Sequence, residues 1–216
     1  MAINVPTIVA LSLLGIGALV SAPVLFKGFT RRGTGVKYEV NFMIQRAPQL
    51  MSLANIGIIS VGFLTYMGVL PASLSPWLAL GSGTEPTGGV AIMSWLGCVI
   101  LLSGLLFMIG GWYSLGEMFS TDAEVMDNHH VRDTGLLSLV MHPAYSGIIQ
   151  SLLGSSLAAT CVPAALFTLF VVAPLWLRRA KYEEAMLIEN LGQPYKDYAE
   201  KMKWRRLVPR FFPIGV

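Results

Sequence analysis

Charge is what this sequence has least of. Asp, Glu, Lys and Arg make up 12% of its 216 residues, against roughly 25% in a soluble globular domain. With 54% hydrophobic residues, the chain cannot clothe itself in a water-facing surface, and lipid is the solvent that suits it. Cysteine is just as sparse. Cys98 and Cys161 lie within or at the tip of apolar segments, make no metal-site spacing and read as packing residues, so no metal is expected. Repeats, low-complexity tracts and a Gly-rich nucleotide loop in strand context are missing as well. Gly81-x-Gly83 and Gly88-Gly89 fall in a turn-rich stretch where flexibility accounts for them.

Four charge-free runs remain: Ile3–Phe26, Leu50–Leu70, Val90–Gly111 and Tyr145–Leu177. About 20 apolar residues cross a hydrocarbon core, so the first three fit one crossing each. The fourth has 33 residues and holds Pro163 near its middle. A straight helix of that length would span about 50 Å, beyond a core of about 30 Å. The run therefore predicts a hairpin of two short helices, about 145–160 and 163–177, reversing near Cys161–Pro163. One long kinked helix is the alternative. The first run lacks the basic n-region of a cleaved signal peptide and reads as a retained helix. The expectation is an all-α polytopic membrane bundle of about five transmembrane helices. The last two form the hairpin, and a cytoplasmic amphipathic helix follows. Residues 1–216 form one integral membrane domain, with three helices in 1–111 and a site region in 112–216.

Lys and Arg set the orientation. Residues 27–49 hold five of them (Lys27, Arg31, Arg32, Lys37, Arg46), 71–89 none, 112–144 only Arg132, and 178–216 the other nine. Five crossings put all fifteen on one side, which the positive-inside rule makes cytoplasmic, with the N-terminus outside. The net charge of +3 is then a basic rim against anionic headgroups, and it needs no nucleic acid.

Two polar stretches on that side stand out. In the first, Pro143 suits the first turn of a helix, with His142 just before it and Tyr145 three residues after His142 on a shared face. The start of such a helix offers unpaired N–H groups and a partial positive charge, which can bind a carboxylate or phosphate. The bland reading is a helix cap and an interfacial tyrosine. In the second, Ala180, Leu187, Ile188 and Leu191 form one apolar stripe ending at a Gly192 cap. Glu183 lies at the stripe's edge, four residues after Arg179, where an exposed ion pair explains it. Glu184 lies in the middle, and a carboxylate there is costly unless it is paired or used.

Together these stretches resemble the isoprenylcysteine carboxyl methyltransferase and phospholipid methyltransferase superfamily of membrane enzymes. His129, Gly135, His142, Pro143, Tyr145 and Gly147 match one tract of that group. Glu183, Glu184, Leu187, Gly192, Tyr195 and Tyr198 match a second, with Leu191 where Phe is usual. Trp112-x-x-Leu115-Gly116 precedes them, and a tail through Pro209 and Pro213 follows. The resemblance covers about residues 110–213. It departs from the pattern at Leu137, Ser138 and Met141, which replace Tyr, Arg and Arg.

The resemblance implies methyl transfer from S-adenosylmethionine, entering from the cytosol, to a lipophilic or lipidated acceptor arriving through the membrane. His142, Pro143, Tyr145 and Gly147 would hold the cofactor at the helix start, together with Glu183, Glu184 and Arg205. Glu184, His142 and Arg206 would serve the chemistry. Arg132 or an arginine of the tail would replace the arginine lost at Met141, and among the tail cations Arg205 and Arg206 come first to the site, with Lys203 and Arg210 as rivals. A carboxylate acceptor needs no general base, whereas an amine must first lose a proton, which a nearby Glu can take. Two other readings stay open. One is a non-catalytic subunit that keeps the fold and partners a membrane complex, and the other is an NADPH-dependent sterol-reductase-like enzyme. Ala144, where those reductases prefer Asn, speaks against the second.

Overall fold

The computed structural model describes residues 4–35, 41–71, 73, 78–80, 85–126, 129–202 and 206–207. Its regular elements among those residues are helices. They are α1 (Val5–Thr30), the short α2 (Phe42–Gln45), α3 (Ala47–Tyr66), α4 (Gly88–Leu115), α5 (Pro143–Ala158), α6 (Val162–Leu191) and α7 (Gln193–Lys201). Helices α1, α3, α4 and α6 are long and apolar enough to cross a membrane. The chain is an integral membrane protein with a polytopic helical fold.

The fourth apolar run divides as its length requires. Helix α5 ends at Ala158, Thr160 takes a left-handed φ of 52°, and α6 starts at Val162 with Pro163 in its first turn. With 16 residues, α5 is about 24 Å long and shorter than a hydrocarbon core of about 30 Å. That is why four helices rather than five have the length of a full crossing. Its partner is not short. Helix α6 runs 30 residues, so the expected amphipathic helix is its direct continuation and no separate element. No cap, glycine or proline interrupts Leu175–Leu191, and its Leu, Arg, Ala, Lys, Glu and Met residues are good helix formers. A π-helical turn, Thr168–Val172, lies just before Pro174. In regular α geometry the Pro174 ring would clash with the carbonyl four residues earlier.

The chain forms two compact units. The first comprises Met1–Leu19, Gln49–Leu105 and Ile148–Pro174. Within it α4 and α5 pack antiparallel at small residues. A Cβ on Gly97 would come within 2.3 Å of the Ala158 nitrogen, and one on Gly104 within 2.4 Å of the Ser151 nitrogen. Lipid tails do not drive apolar helices together, so close backbone approach and buried polar bonds do that work. Ser94 donates to the Ala158 carbonyl at 2.8 Å, and Asn55 donates to Thr168 at 2.6 Å.

The second unit comprises Val20–Pro48, Leu106–Gly147 and Leu175–Val216. Here acidic side chains of the segment after α4 hold the segment between α1 and α3. Asp122 bridges Arg32 and Arg46, each at 2.9 Å. Glu124 accepts from the Gly33 and Gly35 N–H groups at 3.0 and 3.1 Å. Gln45 accepts from the Ala123 N–H at 3.2 Å. Burial pushes the Asp122 carboxyl up, but bonds to Arg46 and Arg32 outweigh it and hold the group below its ordinary 3.8.

Candidate active site

Every part of the site comes from the second unit. Helix α5 opens with Pro143 at its first position, so His142 sits at its mouth and Tyr145 points from its first turn. Helix α6 brings Arg179, Glu183 and Glu184, and the chain after α7 brings Arg206. The stripe expected along α6 is real. Leu187, Ile188 and Leu191 pack with Met141, Tyr195, Tyr198 and Met202 in one apolar cluster. Gly192, with φ 64°, ends the helix and starts α7. Tyr198 then donates to the Leu137 carbonyl at 2.7 Å, fixing α7 to the chain just before His142.

Glu184 is 8% exposed. His142 Nε2 lies 3.1 Å from its Oε1, and Arg206 binds it in a fork, Nε to Oε1 at 2.5 Å and Nη2 to Oε2 at 2.8 Å. Such a bidentate guanidinium–carboxylate pair is strong and directional. The His142 N–H also donates to the Arg206 carbonyl at 3.0 Å, so backbone and side chain both hold Arg206 in place. Glu184 raises the Arg206 pKa further above its ordinary value, and the cation persists.

A second network lies one residue along. The Tyr145 hydroxyl donates to Glu183 Oε1, and Arg179 Nε reaches both, at 3.1 Å to the hydroxyl and 3.0 Å to the carboxylate. Arg179 also donates to the carbonyls of Gln45 and Thr121, at 3.2 and 3.1 Å. The ion pair of Arg179 with Glu183 is thus present, but the expectation that Arg179 is exposed is overturned. It is 2% exposed. Its guanidinium lies 5.7 Å from the Tyr145 ring centre and 5.4 Å from that of Trp176, and these rings cover it. The His142 and Tyr145 rings are parallel at 5.5 Å, which ties the two networks together.

Among the sequence-selected residues, the structure brings together His142, Tyr145, Glu183, Glu184 and Arg206. Pro143 and Gly147 contribute as buried backbone of the first turns of α5. Arg205 lies outside the described residues, as do Lys203 and Arg210. Arg132 does not reach Glu184 and donates instead to the Ser114 carbonyl at 3.0 Å. His129 is close enough to feel the charge of Glu183. Its buried Nδ1 has no partner among the described residues. Burial, then the charge of His130, draws its pKa below the ordinary 6.5 against the pull of Glu183. Sequence reasoning missed Trp176, which the i,i+3 spacing to Arg179 on α6 could have found, and the carbonyls of Gln45 and Thr121, which carry no side-chain signal.

Comparison with known proteins adds one match. The model of the isoprenylcysteine carboxyl methyltransferase (ICMT) family matches residues 95–189, which include His129, His142, Tyr145, Arg179, Glu183 and Glu184. No curated protein matches the chain.

Proposed function

Within residues 95–189 this chain belongs to the isoprenylcysteine carboxyl methyltransferase family of membrane enzymes, and from that premise we propose that it transfers a methyl group from S-adenosylmethionine to a lipophilic, membrane-embedded acceptor. The carrying observation is the side-by-side arrangement of Glu183 and Glu184 at the start of α5. Among the described residues Glu183 Oε2 accepts no hydrogen bond and Glu184 Oε2 accepts only that of Arg206 Nη2. A carboxylate pair has about four acceptor sites on each member, so both keep capacity for an incoming cation. The Ala144 and Tyr145 N–H groups, in the first turn of α5, have no helical partner and suit a carboxylate. This donor and acceptor set fits the ammonium and carboxylate of S-adenosylmethionine.

When bound, that cofactor supplies an electrophilic methyl carbon on a sulfonium. The remaining work is positioning. In this reading Glu183 and Glu184 orient the amino group, and α5 holds the carboxylate. Arg206, standing in for the arginine that Met141 replaces, would hold Glu184 in register through its fork. Tyr145, Trp176 and Met141 exclude water, and a dry site favours a step in which the sulfonium charge is lost. A carboxylate acceptor, as in the family's name, would react as the anion. The site would face the cytoplasm, with the N-terminus outside and residues 1–216 acting as one membrane domain.

A second reading has a specific observation behind it. Glu184 already has Arg206 and His142 as internal counter-groups. A non-catalytic subunit that retains the fold would keep such a pair for stability alone. Calorimetry of the purified protein in nanodiscs with S-adenosylmethionine and its demethylated product separates the two. Saturable binding of both supports the enzyme. No heat with either, from folded protein, supports the subunit.

A further inference from the structure

Arg31 and Arg132 make no ion pair among the described residues. Arg32, Arg46, Arg179 and Arg206 do. The two unpaired guanidinium groups line one cleft of about 360 Å³, together with His130, Glu117, Met118 and Met126. None of these residues belongs to the Glu183–Glu184 networks. Each arginine is anchored at one end. Arg31 Nη1 donates to the Gly116 carbonyl at 2.8 Å and Arg132 Nη1 to the Ser114 carbonyl at 3.0 Å, so both cap the end of α4. Gly116 allows this, since a Cβ there would sit 3.2 Å from Arg132 Nη1. Capping fixes where the charges stand. It neutralises neither, and it uses one nitrogen of each fork.

We propose that this cleft binds the phosphodiester of an anionic phospholipid headgroup. Two half-buried guanidinium forks with His130 beside them offer a phosphate several convergent N–H donors and a net positive field. Glu117 removes one charge, which suits a singly charged diester better than a doubly charged monoester. The volume is at the small end of the range for ligand pockets, about 300–1,000 Å³. The lipid source follows from position. Helix α1 ends at Thr30, one residue before Arg31, and α4 ends at Leu115, one residue before Gly116. Helices of 26 and 28 residues span about 39 and 42 Å, more than a core of about 30 Å, so their ends reach headgroup depth. Met118 and Met126 give the cleft an apolar wall against which a glycerol backbone can lie.

The test uses the full chain in maltoside micelles and native mass spectrometry. Short-chain phosphatidylglycerol and its phosphatidylcholine counterpart serve as probes. Wild type should prefer phosphatidylglycerol about tenfold. Arg31→Gln/Arg132→Gln, in which each amide can still cap its carbonyl, should lose that preference while circular dichroism and Tm stay close to wild type. Glu117→Gln, which disturbs no cap, should bind the anionic lipid more tightly than wild type. Equal binding of the two lipids by wild type overturns the proposal, as does an unchanged preference in the double variant. Inorganic phosphate or glycerol phosphate binding as tightly as the lipid overturns the lipid source. Displacement of the lipid by S-adenosylmethionine would return the cleft to the cofactor site and overturn the proposal too.

Discussion

Arg206 and His142 are joined twice, by the His142 N–H on the Arg206 carbonyl at 3.0 Å and through Glu184, which both side chains contact. A residue beyond the last helix thereby completes a site whose other members lie at the start of α5 and on α6. The arrangement makes Arg206 and Glu184 energetically one object.

Glu184→Gln should therefore do two things. It should weaken S-adenosylmethionine binding by roughly 1.5–3 kcal/mol, the range for hydrogen bonds to a charged group. It should also lower Tm, because Arg206 loses its counter-charge. A double-mutant cycle with Arg206→Met should show positive coupling in Tm. Additive losses in the cycle would mean that the two residues act separately.

Arg179→Met should be the more damaging change. It removes the donor shared by Tyr145, Glu183 and the Gln45 and Thr121 carbonyls, and it leaves the half-buried Glu183 carboxylate without its counter-charge. Breaking a buried pair from one side costs about 3–5 kcal/mol. Arg179→Lys should not rescue it, since one ammonium cannot span a planar fork's acceptors. Glu183→Gln should cost less than Arg179→Met. Chemical denaturation in micelles ranks the three variants.

The Asp122 bridge predicts a pH dependence. Its carboxyl is held below 3.8 in the folded chain, so it contributes stability above that value and loses the contribution as pH falls through the folded pKa. The Tm difference between wild type and Asp122→Asn should be largest near neutral pH and shrink once pH drops below 3.8. A constant difference down to the lowest pH would assign the effect of the substitution to something other than charge.

Topology has its own experiment. Single cysteines at Ser82 and Lys201, reacted with an impermeant maleimide in inverted and right-side-out vesicles, should label from opposite faces. Native Cys98 and Cys161 are buried and contribute little background. Labelling of both new cysteines from one face would remove the orientation drawn from the basic residues.

Much of the fold was legible because it rests on one-dimensional facts. Charge-free runs of fixed length mark α1, α3 and α4, and 33 residues with an internal proline cannot cross as one straight helix. Glu184 was legible for a similar reason, since a carboxylate amid Ala180, Leu187 and Ile188 announces a partner. The identity of that partner depends on chain that folds back from beyond α7, and the tail offered several equivalent cations. Arg179 was misread as exposed because Tyr145, on another helix, completes the cover that Trp176 begins from three residues earlier on α6. The continuity of α6 was missed for want of a stop signal. The change from apolar to charged composition after Leu177 marks a change of surroundings and leaves the backbone ladder intact.

The Asp122 bridge also has a bearing on synthesis. Asp122 lies 76 residues after Arg46. At about 5–20 residues per second, the segment between α1 and α3 is made several seconds before its counter-ion exists. In the proposed orientation Arg32 and Arg46 would meet the insertion machinery and the anionic leaflet during that interval as uncompensated charges, when the direction of α1 and α3 is being set. Once Asp122 emerges, the same two arginines become structural ties. In that orientation the cations that direct the chain early would be those that later brace it through Asp122, and a late anion would separate the two tasks in time.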